Sequence, residues 1–188
     1  MPDAAITLGF YGKIPSRGDF VRARLPSGFV AAWDAWTQAA LASSRVQLGD
    51  GWLDAWLEAP VWRFVMPPGA CGADAAIGVV LPSVDRANRH FPLVVAACAP
   101  SASSLADGGL LDVAEQFGCA AVAEDLTPEA LASALNGPGE PSPLVWPPAG
   151  ARWWTSGGPR VPAQVLEMAG LPDPGQFAAM LDAGVVVS

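Results

Sequence analysis

A chain of 188 residues is long enough to form one domain whose core needs neither disulfides nor metals. Only 15% of its residues are charged, against about 25% in an ordinary soluble domain, and its net charge is −8. This charge disfavours nucleic acid and anionic lipid as general partners, and no apolar run in the sequence reaches the roughly 18 residues of a membrane span.

The charge is distributed unevenly along the chain. Residues 1–94 carry eight basic and eight acidic groups, whereas residues 95–188 carry two basic and ten acidic groups. Because the average surface is acidic, the few clustered cations are expected to face a protein partner or an internal carboxylate.

The cysteines and the N-terminus bear on the cellular compartment. Cys71, Cys98 and Cys119 are odd in number and widely spaced, with no Cys-x-x-Cys pair. This usage predicts buried free thiols in a cytoplasmic protein. The N-terminus has no basic stretch followed by an apolar one, so we expect no signal peptide.

The first half of the chain alternates strand and helix signals. Apolar residues at helical spacing define the helices, and β-rich runs bounded by Gly and Pro define the strands. The last three strands are joined by about ten residues or fewer, which is too short for parallel crossovers and indicates an antiparallel meander. The predicted elements are a strand over 6–11, helices over 27–43 and 52–57, and strands over 61–66, 75–81 and 91–98.

The second half is predicted to be mostly helical. Thr127-Pro128-Glu129 is a typical helix start and Asn136-Gly137 a typical stop. Residues 137–150 contain five prolines and three glycines, which is typical of an extended connector. The predicted elements are helices over 110–123, 128–135 and 174–181 and a strand over 153–155. Within the connector, residues 144–146 are the alternative candidate for an edge strand.

Together these elements predict a single α/β domain over residues 1–188, with residues 137–150 as a Pro/Gly-rich connector within it. The predicted fold is a sandwich with a mostly antiparallel (mixed) central sheet and helices on both faces. Residues 94–97 are apolar at every position, which indicates a central strand covered on both sides. The Pro-rich C-terminal segment is expected to wrap one edge of the sheet.

Two short motifs concentrate the charge. The N-terminal motif, residues 9–24, begins Gly-Phe-Tyr-Gly-Lys-Ile-Pro-Ser-Arg-Gly-Asp-Phe. The turn motif, residues 82–93, reads Pro-Ser-Val-Asp-Arg-Ala-Asn-Arg-His-Phe-Pro-Leu. They hold the only lysine, the only histidine and five of the nine arginines. Charges carried on turns shaped by Gly and Pro indicate recognition rather than folding.

These motifs resemble the TagF family, accessory proteins of the bacterial type VI secretion system. The resemblance continues through a Trp-x-x-Trp helix, the run Pro-Val-Trp-Arg-Phe at 60–64, Gly-Val-Val-Leu-Pro-Ser-Val-Asp-Arg at 78–86, Trp153-Trp154, and Gly-Leu-Pro at 170–172. It therefore covers nearly the whole chain. The family usually has glycine where this chain has Asn88, which predicts a backbone φ above zero at that position.

The resemblance implies a function. TagF-like proteins repress type VI secretion after translation, acting through the system's cytoplasmic FHA-domain scaffold. Some members are fused to a protein phosphatase domain, and this chain is expected to be the TagF-like region without one. The expected protein is thus a non-catalytic, cytoplasmic regulator that binds protein and uses no cofactor.

The candidate partner-binding residues come mainly from the two motifs. Either these charges form an internal network or they face a partner, and both hold if the network shapes an exposed edge. We expect a charged side chain of 13–24 to lie within salt-bridge reach of one in 85–89. The candidates are Lys13, Arg17, Asp19, Ser83, Asp85, Arg86 and Arg89, with Trp153 and Trp154 as an exposed aromatic anchor.

Individual roles follow from position. Lys13 is expected to anchor its turn or contact a partner, and Gly18 to supply permissive dihedrals to a tight turn at 17–19. Asp85, Arg86 and Arg89 are expected to pair with Asp19, Arg17 or one another. Because Arg86 adjoins Asp85, it is the better candidate for the internal pair, and Arg89 the better candidate for partner contact.

Two other classes of function remain as alternatives. The first is a structural or adaptor subunit of the secretion apparatus. The second is a hydrolase or nucleotide-binding enzyme, but Thr7 stands where a phosphate loop needs glycine, and no nucleophile elbow surrounds Ser83. A large concave pocket lined by Lys13, Ser83 and His90 would favour an enzyme. A flat, apolar-centred patch rimmed by arginines would favour a binding protein. One histidine and no spaced carboxylate cluster predict no metal site.

Overall fold

The computed structural model describes residues 6–185, which form one seven-stranded sheet with helices on both faces. All neighbouring strands are antiparallel, and their order is β2-β1-β5-β4-β3-β6-β7. The predicted meander of three strands is the centre of this sheet. The strands are β1 (Gly9–Gly12), β2 (Val21–Ala23), β3 (Trp62–Met66), β4 (Ala75–Leu81), β5 (Leu93–Ala99), β6 (Ala151–Thr155) and β7 (Gln164–Met168).

The helices divide between the two faces. One face carries α1 (Ser27–Leu48), α2 (Trp52–Leu57) and α5 (Phe177–Leu181), and the other carries α3 (Gly109–Ala123) and α4 (Pro128–Ala134). Every residue of β4 is buried, because this central strand is covered from both sides. The predicted α/β sandwich is confirmed.

The two faces pack against different kinds of side chain. The α3 face is aliphatic, and Phe10 is the one fully buried ring in that cluster of the described residues. The α1 face is dominated by aromatic rings, which bury large areas at low cost in side-chain entropy. The buried rings on the α1 face are Tyr11, Phe29, Trp33, Trp36, Trp52, Trp56, Trp62, Phe64, Phe91, Trp153 and Phe177.

Indole hydrogen bonds attach the C-terminal segment to the aromatic face. Trp36 Nε1 donates to the carbonyl of Pro172 at 2.7 Å, and Trp62 Nε1 donates to Met180 at 3.0 Å. Most buried indole N–H groups in proteins have such a partner. The tryptophans therefore fix the path of residues 170–181 over α1.

Several elements differ from the sequence prediction. The candidate edge strand over 144–146 is wrong, because residues 137–150 cross the start of α3 instead of joining the sheet. Ser142 accepts a hydrogen bond from Gly108 N at 2.6 Å, and Leu144 N donates to Ala106. The proline-rich stretch thus lies on a face, and β7 forms that edge of the sheet. The edge strands β2 and β7 were not predicted.

Candidate functional site

The N-terminal motif and the turn motif meet at one end of the sheet. Gly12 pairs with Leu93 in the β1–β5 ladder, so the chain leaving β1 runs beside the chain entering β5. Gly12 has a φ of 137°, and a β-carbon there would overlap the carbonyl of Pro92, so glycine permits the close approach. Lys13 Nζ lies 2.9 Å from Asp85 Oδ2. The expected contact between the charged groups of the two motifs is confirmed.

Asp85 is the centre of this contact. Its side chain is fully buried and accepts four hydrogen bonds. Oδ1 accepts from the backbone N–H groups of Ala87 and Arg89, both at 2.9 Å. Oδ2 accepts from Lys13 Nζ at 2.9 Å and from Arg89 Nε at 2.7 Å. One carboxylate thus folds the turn 85–89 and attaches it to the N-terminal motif.

These donors also set the ionisation of Asp85. Burial alone would raise the pKa of its carboxyl by penalising the charged form. Hydrogen bonds from the backbone of Arg89 and from the side chains of Lys13 and Arg89 outweigh that penalty and hold the pKa well below its usual range. The carboxylate is therefore charged at physiological pH, and its hydrogen bonds brace the two motifs against each other.

Backbone groups join the same two segments. Ser83 Oγ donates to the carbonyl of Lys13 at 2.7 Å, and Arg86 N donates to the carbonyl of Arg17 at 2.9 Å. Asn88 adopts a φ of 62°, as the glycine usual in the family predicts. The turn 85–89 is consequently held at both ends and has a defined shape.

The internal pair with Asp85 is not formed by the arginine that the sequence favoured. Arg89, not Arg86, forms the internal pair with Asp85, because the turn brings residue 89 back over residue 85. Arg86 instead donates from Nη2 to the carbonyl of Ser16, and Arg89 Nη2 donates to the carbonyl of Gly18. Both side chains remain exposed, Arg89 to 59%. They brace the site and also form its surface.

Arg17 and Asp19 lie at the outer side of the site. Arg17 Nη2 is 3.2 Å from Glu129 Oε2 of α4, in an exposed ion pair. Asp19 is exposed and makes no ion pair within residues 6–185, so its expected pairing with the arginines of the turn motif is wrong. The tight turn spans 14–17, with Arg17 N donating to Ile14, and Gly18 is not at positive φ. Gly18 is therefore not required there for its dihedral freedom.

An exposed aromatic ring covers the buried ion pair. Phe20 is 42% exposed, stacks on Tyr11 with ring centroids 5.6 Å apart, and meets the edge of Phe91 at 4.9 Å. Lys13 Nζ lies 5.0 Å from the Phe20 ring. The Tyr11 hydroxyl donates to Asp34 of α1 at 2.6 Å. Burial is the main cause that raises the pKa of Tyr11, and this hydrogen bond is the second.

Neither Tyr11 nor Phe20 was a candidate from sequence. The one available signal was an aromatic residue inside a charged turn, and that signal is equally typical of core residues.

The expected aromatic anchor at 153–154 is wrong for Trp153. Trp153 is fully buried in the aromatic layer, 4.9 Å from Phe64 between ring centroids, and donates to Gly170 at 3.1 Å. Trp154 points to the opposite face because side chains alternate along β6, and it is half-buried. Paired tryptophans on a strand cannot both face solvent when one side of that strand lies against the core.

The residue types of a hydrolytic triad are not assembled. Ser83 directs its hydroxyl to the carbonyl of Lys13, and Asp85 binds Lys13 and Arg89. His90 packs edge-on against the rings of Trp52 and Trp56. Burial is the main cause that lowers the pKa of His90, and the positive charge of Arg45 is the second.

The next features of residues 6–185 are the cysteines, the possible metal ligands and the possible membrane spans. The cysteines are free thiols: Cys71 is buried, and Cys98 and Cys119 are half-buried. Burial raises the pKa of Cys71 to about 12, which makes it a poor nucleophile. Within residues 6–185, no three His, Cys, Asp or Glu side chains are grouped to hold a metal ion. No helix in the same range is long and apolar enough to cross a membrane.

Comparisons with known proteins agree with the resemblance of the motifs. The model of the TagF N-terminal domain, described as type VI secretion system-associated, matches residues 9–137 and so contains both motifs. The chain is also similar to PA0076 from Pseudomonas aeruginosa PAO1, a crystal structure at 2.05 Å resolution. The two share 33% identity over 97% of each chain, with a TM-score of 0.83. No curated protein matches the sequence.

Proposed function

Because this chain belongs to the TagF family of type VI secretion system-associated proteins, we propose that it is a cytoplasmic, non-catalytic repressor of type VI secretion. It acts after translation, by binding the FHA-domain scaffold of the secretion system. Family membership supplies the link to secretion. The geometry of the two motifs supports binding as the mode of action.

The observation that carries the proposal is a set of arginines without acidic partners. Acidic residues outnumber basic ones 18 to 10 in this chain, so an arginine has many carboxylates within the molecule to choose from. Yet Arg22, Arg24, Arg45 and Arg86 form no ion pair within residues 6–185, and three of these four lie in the two motifs. Unpaired, exposed guanidinium groups favour a partner that supplies carboxylates.

The buried brace makes these arginines effective for binding. Asp85 fixes the turn through four hydrogen bonds, so Arg86 and Arg89 lose little conformational entropy when a partner arrives. Phe20 adds an exposed ring at the same end of the sheet, close to Lys13. Aromatic rings and arginines supply much of the binding energy of many protein interfaces.

The same contacts support a role without catalysis. The groups that would act as nucleophile and base are occupied by structural hydrogen bonds, namely Ser83 with a backbone carbonyl and Asp85 with two cations. Lys13 is equally committed to its ion pair. Ser83 lines a hollow together with His90, but its volume of about 160 Å³ is smaller than that of pockets that hold drug-sized ligands.

The double variant Arg86→Ala and Arg89→Ala tests the proposal by titration against the FHA-domain scaffold of the same organism. We expect affinity to fall by about 2–5 kcal/mol, which is at least thirtyfold. The partly exposed Arg89 pair contributes at most about 1 kcal/mol to stability, so the melting temperature should fall by no more than about 4 °C.

The matched control is Arg152→Ala, which removes an arginine of β6 that pairs with Glu167 of the edge strand β7. It should bind the scaffold like the wild type. Equal binding by the double variant and by this control would contradict a role of the motifs in scaffold recognition.

A deletion strain separates the repressor from the structural alternative. Loss of a repressor raises the amount of secreted type VI effector, whereas loss of a subunit of the apparatus abolishes secretion. We expect the amount of secreted effector to rise. Complementation with the double variant of Arg86 and Arg89 should fail to restore repression, while complementation with the control variant should restore it.

A further inference from the structure

A small hollow lies directly beside the turn that carries the two exposed arginines. Its walls come from the end of α2 (Leu57), the base of the turn motif (Pro82 and His90) and the end of α3 (Val122), and its volume is about 160 Å³. Ligand pockets for drug-sized molecules occupy roughly 300–1,000 Å³. The hollow is therefore too small for a cofactor and suits a single side chain.

Helix α2 exposes apolar groups where a helix normally exposes polar ones. Leu57, which lines the hollow, is 66% exposed, although α2 already buries Trp52 and Trp56 on its inner side. Leu53, one helical turn earlier and outside the hollow, is 45% exposed. Leucines on the outer side of a short helix do not contribute to the core. Exposed apolar side chains around a hollow mark an interaction site.

The hollow is preformed. Trp52 and Trp56 stack with centroids 5.1 Å apart and their planes at 16°. Their indole N–H groups donate to Ser44 Oγ and to the carbonyl of Ser83, at 2.9 and 3.3 Å. His90 packs edge-on against both rings. Because these groups are fixed by one another, a side chain entering the hollow would find it already in shape.

Charge around the hollow is polarised. Arg86 and Arg89 lie on the turn between Pro82 and His90, and Arg45 lies over the Trp52 ring, 4.5 Å from its centroid. Glu58 directly follows α2, and its carboxylate is held by Arg160. Two acidic residues, Glu124 and Asp125, follow Val122 on the α3 side. A partner that brings carboxylates is thus attracted to the turn side and repelled from the α3 side, which fixes its orientation.

From these observations we infer that the hollow is the anchor site for a partner segment that presents one aliphatic or methionine side chain next to carboxylates. The apolar side chain enters the hollow, and the carboxylates bind Arg86 and Arg89. The identity of the partner, the FHA-domain scaffold, rests on the proposed function. The chemistry of the segment rests on the hollow and the arginines alone.

The first test compares two exposed apolar residues. Leu57→Ser removes a wall of the hollow, whereas Val46→Ser changes a residue of α1 that is 85% exposed and does not line the hollow. In titrations against the scaffold, we expect Leu57→Ser to weaken binding at least tenfold and Val46→Ser less than twofold, with unchanged melting temperatures. Equal binding by the two variants would overturn the inference and leave the proposed function standing.

The second test does not need the scaffold. An acetylated and amidated peptide Glu-Glu-Leu-Glu-Glu is titrated to millimolar concentration into methyl-labelled protein, with Lys-Lys-Leu-Lys-Lys as its control. We expect the acidic peptide alone to shift the methyl resonances of Leu57 and Val122. Equal shifts with both peptides, or shifts confined to other methyl groups, would contradict the inference. If this titration succeeds while the scaffold fails to bind the wild type, the proposed function is wrong and the inference stands.

A second copy of this acidic chain is the competing occupant of the hollow. Sedimentation of the wild type and of Leu57→Ser distinguishes it, since self-association through the hollow gives a dimer that the substitution abolishes. We expect both proteins to sediment as monomers. A wild-type dimer lost in Leu57→Ser would show that the hollow serves self-association and would overturn the inference.

Discussion

Two groups of ion pairs lie at different places in the sheet and have similar N–O distances but different burial. Their comparison indicates that the distance alone does not determine how much a salt bridge contributes to stability. Asp85 lies 2.9 Å from Lys13 and 2.7 Å from Arg89, at the end of β1 and β5. Arg152 and Glu167 lie 2.7 Å apart across β6 and β7. The Asp85 side chain is fully buried, whereas that of Glu167 is 55% exposed. Burial of both partners makes the pair of Asp85 with Lys13 costly to break, whereas the exposed pair of Arg152 with Glu167 contributes little to stability.

The comparison also divides the charged residues of the motifs by role. Lys13 and Asp85 are buried and hold the two motifs together, so their removal acts through stability. Arg86 is exposed, forms no ion pair within residues 6–185 and donates from its side chain to one backbone carbonyl, that of Ser16, so its removal is expected to act first on binding. Arg89 belongs to both groups, because it bonds Asp85 and is still largely exposed.

The largest effect is expected from breaking the buried pair. Lys13→Ala leaves the buried carboxylate of Asp85 with Arg89 as its remaining cation, and we expect a loss of about 3 kcal/mol in the free energy of unfolding. Arg152→Ala, the matched change in the exposed pair, should cost less than about 1 kcal/mol. Denaturant unfolding of both variants measures the difference. Similar losses in the two variants would show that burial does not distinguish the two groups.

Acid should weaken the Asp85 group specifically. Because the folded-state pKa of Asp85 lies below its ordinary value of 3.8, this carboxylate adds stability above about pH 4. That stability is lost as the pH falls from about 4 through the lowered folded-state pKa. Asp85→Asn lacks the charge at every pH, so its melting temperature should approach that of the wild type as the pH falls. Melting curves between pH 7 and pH 2 test this, and a constant gap between the two proteins would refute it.

The central elements of the fold could be predicted from sequence because their patterns are strong. β4 reads as an uninterrupted apolar run, and α2 is bounded by a Gly-Asp-Gly turn and Pro60. The edge strands were missed for the opposite reason. β2 has three residues with an arginine at its centre, and β7 mixes Gln, Glu and apolar residues. A strand with one neighbour and an exposed side needs no distinctive pattern.

The meeting of the two motifs was predictable, but the partner of each charge was not. Motifs at the ends of β1 and β5 must lie together once those strands pair, so the contact between Lys13 and Asp85 follows from topology. The choice of Arg89 over Arg86 depends on a turn that folds residue 89 back over residue 85. That geometry comes from backbone hydrogen bonds to Asp85, which adjacency in the sequence does not reveal.

An intermediate effect is expected from a neutral hydrogen bond at the same end of the sheet. Ser83→Ala removes the hydroxyl that donates to the carbonyl of Lys13 and leaves a buried acceptor unpaired, at a cost of about 1–2 kcal/mol. Ser103→Ala, in an exposed turn, should change stability by less than about 0.5 kcal/mol. Denaturant midpoints of the two variants provide the comparison. A smaller cost at Ser83 than at Ser103 would argue against a close-packed brace.

The smallest effect should come from the backbone of the turn itself. Asn88 is exposed at a φ of 62°, where a β-carbon is disfavoured and asparagine is tolerated better than alanine. Asn88→Ala should therefore cost about 1 kcal/mol. Asn88→Gly should stay within about 0.5 kcal/mol of the wild type, because glycine adopts positive φ without strain in the folded turn, and this gain offsets the greater entropy of the unfolded glycine chain.

Titration against the FHA-domain scaffold measures whether the two Asn88 variants also differ in affinity. If the turn presents Arg86 and Arg89 in a fixed geometry, Asn88→Gly should bind like the wild type, since its folded backbone is the same. Asn88→Ala should bind more weakly, because a turn that relaxes toward negative φ at residue 88 no longer holds Arg86 and Arg89 in that geometry. An alanine variant that loses neither stability nor affinity would mean that the turn is held by Asp85 alone, and the backbone at residue 88 would then play no part in preorganising the arginines.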